Sequence, residues 1–347
     1  MEHEVRYCMT SDGVRIAYCV EGDGPPLLFM QAVHSFSLSH LVPTIDRALA
    51  RFGLGRQLIR YDMRGTGLSQ LEVDGFSPES DLLDMEAVLR AVAPERLAII
   101  GVSLGGPRAI HYAARHPDQV DRLVLYETFS RVADAFAPGI LQAFAQLTRT
   151  NWEVASHAVL SAGLRSQDEQ VARRWAEMLR KSITGEAMAR FIEGHADEDL
   201  TPLLGKIQCP TLVCHSVDDI YIPFALGRRM AELIPSARLV PFEGEAGGIF
   251  NHGPAIEAID AFLPRQLPDA ARGDQAAADA PAPGLTPRET EILRLVAAGR
   301  TSGEISRELS LSIRTVGRHI TNIYNKIGAR GRSDATSYAI RHGIARE

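Results

Sequence analysis

Gly101-Val-Ser103-Leu-Gly105-Gly106 is a stretch built for chemistry, because a serine set between glycines can occupy a turn too tight for neighbouring side chains. The apolar run Leu97-Ala-Ile-Ile precedes it and the helical pattern Ala109-Ile-His-Tyr-Ala-Ala follows. Strand, G-x-S-x-G and helix together make a nucleophile elbow, which lifts the hydroxyl above the end of a sheet. The N–H of the next residue, Leu104, can then face an oxygen that gains charge, since a backbone donor does not depend on its side chain. A second chemical set lies near the other end of the chain. From Ile313 to about Ile327, Val316, Ile320, Ile323 and Ile327 share one helical face, while Arg314, Thr315, Arg318, Thr321, Asn322 and Lys326 occupy the opposite one. Such cations and hydroxyls suit phosphates and base edges.

The elements that must position the serine alternate along the chain. Leu27-Leu-Phe-Met, Gln57-Leu-Ile-Arg-Tyr, Leu97-Ala-Ile-Ile-Gly, Leu123-Val-Leu-Tyr, Thr211-Leu-Val-Cys and Arg238-Leu-Val read as short strands between helical patterns. Continuous apolarity marks strands covered on both faces, which predicts a doubly wound, mostly parallel α/β sheet. From about residue 130 to 204 the periodicity is helical, as in a cap over one end of that sheet. Between Pro264 and Pro283 the composition turns to Ala, Pro, Asp and Gln, a linker that would span on the order of 25 Å if flexible.

Beyond it, Thr286 and Glu289 form a capping-box pattern around Pro287, opening a helix that carries Ile292, Leu293, Leu295 and Val296. A second short helix runs from about Ser302 to Leu309, and Ser310-Leu-Ser leads into the third. The organisation expected is residues 1–263, a linker at 264–283 and a small all-α helix-turn-helix domain at 284–347. The last segment holds eleven Arg and Lys against six Asp and Glu, a net +5 in a chain of −6, so residues 1–283 carry −11. A basic module on an acidic body confines phosphate attraction to one end.

Several classes are set aside by the same reading. No apolar run approaches the roughly 20 residues of a membrane span, and Met1-Glu-His-Glu is unlike a signal peptide. Cys8, Cys19, Cys209 and Cys214 form no C-x-x-C pair and read as buried thiols in a reducing cytoplasm. Neither metal-ligand spacing nor a nucleotide-binding loop is present, so no metal or cofactor is expected.

The pattern from Leu285-Thr-Pro-Arg-Glu to Arg332-Ser resembles the LuxR-type (GerE-like) effector domain over roughly 284–347. The resemblance implies that the third helix enters the major groove of DNA and that a fourth, about Ser333 to His342, makes a homodimer reading two half-sites. In this chain Gly317 replaces a lysine usual in the family, which shifts the load to Arg314 and Arg318.

Residues 5–263 are similar to the α/β-hydrolase superfamily, whose D-x-R-G-x-G-x-S turn is matched by Asp62-Met-Arg64-Gly65-Thr-Gly67-Leu-Ser69. His215-Ser-Val-Asp-Asp219-Ile-Tyr-Ile-Pro223 resembles its acid-bearing segment and implies Asp219 as the acid, with Asp218 as the rival. Where many members have His-Gly after the first central strand, this chain has Gln31-Ala32-Val33-His34, which implies the Val33 N–H as a second oxyanion donor beside Leu104. The chain departs from the family at the base: in Phe242-Glu-Gly244-Glu-Ala-Gly247-Gly248-Ile-Phe-Asn-His252, ungapped counting puts Gly247 where the histidine belongs. Either the triad has lapsed, or His252 folds back to complete it with Ser103 and Asp219. Three functions follow. The favoured one is a regulator that binds DNA and senses a small carbonyl-bearing effector in an impaired hydrolase pocket. The second is a regulator that also hydrolyses an ester or lactone effector, and the third a hydrolase whose C-terminal module serves only assembly.

Overall fold

The computed structural model describes residues 4–30, 38, 49–164, 169–219, 221–243, 253–266, 285–297, 300–309, 311–327, 335–336, 338–339 and 344. Two compact units contain them, Met1–Leu267 and Pro268–Glu347. In the first, β1 (Arg6–Met9), β2 (Arg15–Glu21), β3 (Pro26–Met30), β4 (Gln57–Tyr61), β5 (Leu97–Val102), β6 (Val120–Tyr126), β7 (Thr211–Ser216) and β8 (Ala237–Phe242) form one sheet in the order β1-β2-β4-β3-β5-β6-β7-β8. Pairing is parallel from β4 across to β8 and antiparallel for β1 and β2. Each apolar run expected to be a strand is one. The β1–β2 hairpin was not foreseen: Tyr7 and Met9 on this edge strand are 52% and 55% exposed, so it lacks the continuous apolarity of the central strands.

Among the described residues, helices of this unit include α1 (Pro78–Val92), α2 (Gly105–Arg115), α3 (Val132–Ala135), α4 (Ile140–Thr150), α5 (Trp152–Leu164), α6 (Glu169–Ser182), α7 (Gly185–His195), α8 (Thr201–Leu204), α9 (Phe224–Leu233) and α10 (Gly253–Phe262), with residues 49–53 helical as well. Serine at position 77 starts α1 through a reciprocal capping box with Ser80, and Pro78 fills its first turn. One sheet face buries Ile59, Ile99, Leu123 and Val213 under α1 and α2 residues such as Met85 and Ile110. The other buries Phe29, Ile100, Val124 and Leu212 under Ile256 and Ile259 of α10. Among its described residues the expected cap is a run of helices, α3 to α8, with a bridge between Arg131 and Asp199.

The cap helix α7 is fastened to the sheet domain at three points. Arg190 donates to the carbonyls of Val73 (3.0 Å) and Asp74. Gly194 packs so closely on Phe76 that a Cβ would meet its carbonyl oxygen at 2.1 Å. The third point is the His195 ring, whose Nε2 is 3.2 Å from Asp81 on α1. Trp152 of the cap donates its indole N–H to the Ile183 carbonyl at 3.0 Å and so joins cap segments to each other.

The second unit contains α11 (Pro287–Ala297), α12 (Ser302–Glu308) and α13 (Ile313–Ile327) around its own core of Ile292, Leu293, Val296, Ile305, Val316 and Ile323. Thr286 and Glu289 form the anticipated box, Thr286 N to Oε2 at 2.8 Å and Glu289 N to Oγ1 at 3.3 Å. Of the fourth helix only residues 335–336 and 338–339 are described, all helical. Among the described residues no helix is long and apolar enough to cross a membrane.

Candidate functional site

Strand β3 pairs with β4 on one side and β5 on the other, so the crossover connections leave in opposite directions between them. In open parallel sheets, ligands bind at the C-terminal strand ends beside such a switch point. Ser103 stands there, immediately after β5. Its φ is +49°, a left-handed conformation that costs a non-glycine residue free energy and that clusters at functional sites. The glycine pattern has the anticipated steric cause. A Cβ on Gly101 would lie 2.8 Å from Ala109 Cβ and 2.9 Å from Gly106 Cα, and one on Gly106 would lie 2.0 Å from Thr128 Oγ1.

The β6 end holds the elbow from the side. Ser103 N–H donates to the Tyr126 carbonyl at 3.0 Å, and the Thr128 hydroxyl donates to the Ser103 carbonyl at 2.6 Å. Leu104 is the N-cap of α2 with helical φ and ψ. The first N–H groups of a helix lack intrahelical acceptors and carry its positive dipole end, which suits a developing oxyanion. Val33, the second expected donor, lies outside the described residues.

Asp219 is buried and Asp218 exposed. Oδ1 of Asp219 accepts the N–H groups of Tyr221 (2.8 Å) and Ile222 (3.0 Å), and Oδ2 is 3.8 Å from His215 Nε2. His215 is itself fully buried and bonded through Nε2 to the Ile222 carbonyl at 2.7 Å. Burial lowers its pKa below the ordinary imidazole value, which favours the neutral ring, and its bond to Ile222 shapes the acid loop. His252 and Gly247, on which the fate of the triad turns, lie outside the described residues, as does His34.

The Asp62-to-Ser69 motif is a scaffold for this edge. The two carboxylate oxygens of Asp62 accept the N–H groups of Leu38 (2.9 Å) and Leu68 (2.8 Å), and Ser69 links Ala17 N (2.8 Å) to the Asp62 carbonyl. Arg64, 3% exposed, is clamped between Asp84 (2.8 Å) and Asp12 (2.7 Å). Charges so buried persist only when paired, and this pairing ties α1 to the β1–β2 hairpin.

The profile of a family described as alpha/beta hydrolase fold matches residues 31–252, and that of bacterial regulatory proteins, luxR family, matches residues 283–339. The chain belongs to the α/β-hydrolase fold family. Its C-terminal unit is a LuxR-family helix-turn-helix. A non-heme chloroperoxidase of Kitasatospora aureofaciens is 27% identical over 262 residues, covering 70% of this chain and 92% of that protein. A bifunctional esterase/perhydrolase of Acinetobacter calcoaceticus is 27% identical over 275 residues, covering 73% and 95%. Among solved structures, an esterase from Rhodococcus superposes with a TM-score of 0.63 at 23% identity, over 76% of this chain and 98% of the other.

In the hydrolase-fold unit one residue escaped the sequence reading. Glu127 follows β6 with φ +42° and 6% exposure, and its N–H donates to the Cys214 carbonyl on β7 at 2.9 Å. It therefore stands between the strand ends that lead to Ser103 and Asp219. The signal available was a carboxylate directly ending the apolar run Leu123-Val-Leu-Tyr.

In the LuxR-family unit, the outward face of α13 exposes Arg318, Thr321 and Asn322, while Thr315 is half-buried with its hydroxyl 2.8 Å from that of Ser312. Arg314 lies in the first turn of α13. A side chain at Gly317 would meet nothing within 4 Å. Lys326, the expected phosphate contact, has an intramolecular partner. Its ammonium is 2.7 Å from Oε2 of the buried Glu289 and ties α13 to the capping box of α11.

Proposed function

We propose that this protein is a ligand-responsive transcription regulator, binding promoter DNA through α13 and holding a small carbonyl-bearing effector at Ser103. The observation that carries the reading is an elbow with its strained serine and helix N-terminus, in one chain with a LuxR-family module. A carbonyl oxygen near Leu104 N–H would be polarised by that donor and by the α2 dipole, and Ser103 could donate a further hydrogen bond. Without an imidazole, the hydroxyl keeps its proton and the ligand is held rather than cleaved. Gly247 at the expected base position supports holding over cleavage. Arg318, Arg314, Thr315 and Thr321 are proposed to meet bases and phosphates, with the protein acting as a homodimer.

A second reading is favoured by the state of the acid. Asp219 is buried and fixed by two backbone N–H groups, the arrangement a working triad needs. If His252 reaches Ser103, it takes the hydroxyl proton as Oγ attacks an ester or lactone carbonyl, then returns that proton to the leaving oxygen. The esterase named among the relatives supports this class of ligand. Fluorophosphonate labelling and turnover of p-nitrophenyl esters, measured beside promoter binding by the full chain, separates the readings. DNA binding with negligible turnover supports the sensor, whereas turnover abolished by both Ser103→Ala and His252→Ala supports the bifunctional protein. Absence of binding to any DNA sequence would leave the assembly role of the C-terminal unit.

A further inference from the structure

The Ser103 site and the exit of the chain from the hydrolase-fold unit lie at opposite edges of the sheet. Ser103 follows the C-terminal end of β5, whereas Gly55 and Arg56 precede the N-terminal end of β4 and grip residues 264–266. Arg56 is 1% exposed and uses its whole guanidinium there. Nε donates to the Pro264 carbonyl (2.9 Å), Nη1 to the Phe52 carbonyl (3.1 Å) and Asp260 Oδ1 (3.2 Å), and Nη2 to the carbonyls of Asp260 (3.3 Å) and Leu263 (3.3 Å). Arg51 adds a 2.7 Å contact to Asp260, and Gln266 N–H donates to the Gly55 carbonyl at 2.8 Å.

A helix end is ordinarily closed by glycine, water or a last 3₁₀ turn. Burying a guanidinium for the purpose carries a large desolvation cost, and what it gains is a fixed geometry. That geometry joins three segments into one body: the end of α10, the loop before β4 and the first residues beyond the helix. A packed path runs from this clamp to the site. Ile259, Ile256, Leu263 and Phe52 belong to one apolar cluster with Phe242 and Tyr126. Phe242 stacks on Tyr126 with ring centroids 5.5 Å apart, and the Tyr126 carbonyl accepts the Ser103 N–H.

We infer that α10, clamped at its far end by Arg56, transmits the state of the Ser103 site to the chain leading into the DNA-binding unit. This rests on the regulator reading above. Close-packed interiors shift as bodies between discrete arrangements rather than deforming smoothly. Displacement of Tyr126 and Phe242 by a bound group moves α10 along with its clamp, and the movement reappears at Gln266. Arg56 and Gly55 are positioning residues in this device, touching neither effector nor DNA.

The test fills the site without knowing the effector. In the full chain carrying Cys8→Ser, Ser103→Cys is reacted with benzyl methanethiosulfonate, and peptide mass mapping confirms a single adduct at position 103; Cys19, Cys209 and Cys214 are buried. Affinity is measured for DNA selected from a random pool by the unlabelled full chain. Labelling is expected to change that affinity about tenfold, a common size for coupled sites. Adding Arg56→Gln should reduce the change to less than about twofold. Gly55→Ala should do the same by a different route, since at φ +69° its Cβ would lie 2.3 Å from the Gln266 carbonyl oxygen and displace the exit while leaving the Arg56 guanidinium in place. Thermal unfolding checks that each variant is folded, and Gly55→Ala decides the matter where Arg56→Gln is not. A full labelling effect in the folded variants overturns the relay and leaves Arg56 a helix cap. If labelling alters DNA affinity in no background, the regulator reading fails and the relay with it.

Discussion

The ammonium of Lys326 lies 2.7 Å from Oε2 of Glu289, and that same oxygen accepts the Thr286 N–H at 2.8 Å. One carboxylate thus closes the start of α11 and fastens the end of α13 to it. The hydrogen bond from Lys326 is the main reason the Glu289 carboxyl is held down to about 2. A depressed carboxylate pKa contributes stability above its unfolded value, lost as pH falls through the folded one. We therefore expect Glu289→Gln to lower the stability of the helix-turn-helix by about 1–2 kcal/mol at neutral pH. The deficit should vanish as pH falls from 4.5 towards 2, followed by circular dichroism of the helical signal.

Arg318 is exposed on α13. Its replacement by alanine is expected to cost about 1–3 kcal/mol on the preferred DNA sequence and to relax preference at one base position. Competition binding against single-base variants reads both effects, and unchanged discrimination would take Arg318 out of base reading.

Gly317→Lys tests the departure of this chain from its family. A Cβ at this position would meet nothing within 4 Å. An added ammonium on the DNA-facing side should raise affinity for all sequences and steepen the slope of log affinity against log salt by about 1. A flat response would place residue 317 away from phosphate.

The fastening of α7 to α1 predicts a pH dependence of the hydrolase-fold unit. Burial raises Glu198 to about 7, the largest influence on it, against the pull of His195. For His195 burial acts downward, but the charge and hydrogen bond of Asp81 outweigh it and leave the pKa raised. Both groups bind protons more tightly folded than unfolded, so their contribution is full below the unfolded values and is lost as pH rises through the folded ones. Thermal stability should decline as pH rises from 4.5 towards 7 with Glu198 and further above 6.5 with His195, and His195→Gln should remove the part above 6.5. A profile in the variant as steep as in the parent would exclude His195 from the effect.

Gly101→Ala and Asp218→Asn make a contrasting pair. The first forces a Cβ against Ala109 and Gly106 and should cost about 1–3 kcal/mol by overpacking, measured by urea unfolding. The second alters an exposed carboxylate and should leave stability and ligand response unchanged, while Asp219→Asn, next to it, alters the response.

Local signals were enough to read six of the eight strands, the cap, the elbow and the first three helices of the C-terminal unit from the residues alone. Periodicity reports which face of an element is buried, and the glycines around Ser103 report a turn whose steric limits hold wherever it is placed. Long-range encounters left no such trace. Nothing in the spacing of Lys326 and Glu289 says that one amine completes the other's capping box. Likewise, Arg56 in the sequence is an ordinary charge before a strand. Only folding brings Asp260 and Pro264 to it from more than two hundred residues away. Asp219 and Asp218 were adjacent rivals until the end of β7 buried one and exposed the other. Glu127 went unnoticed because its position depends on the order β5-β6-β7, which sets its strand between those of the serine and the acid. Backbone propensity and apolar pattern are properties of neighbours in the chain, whereas partner choice is settled by which charges the completed core removes from water.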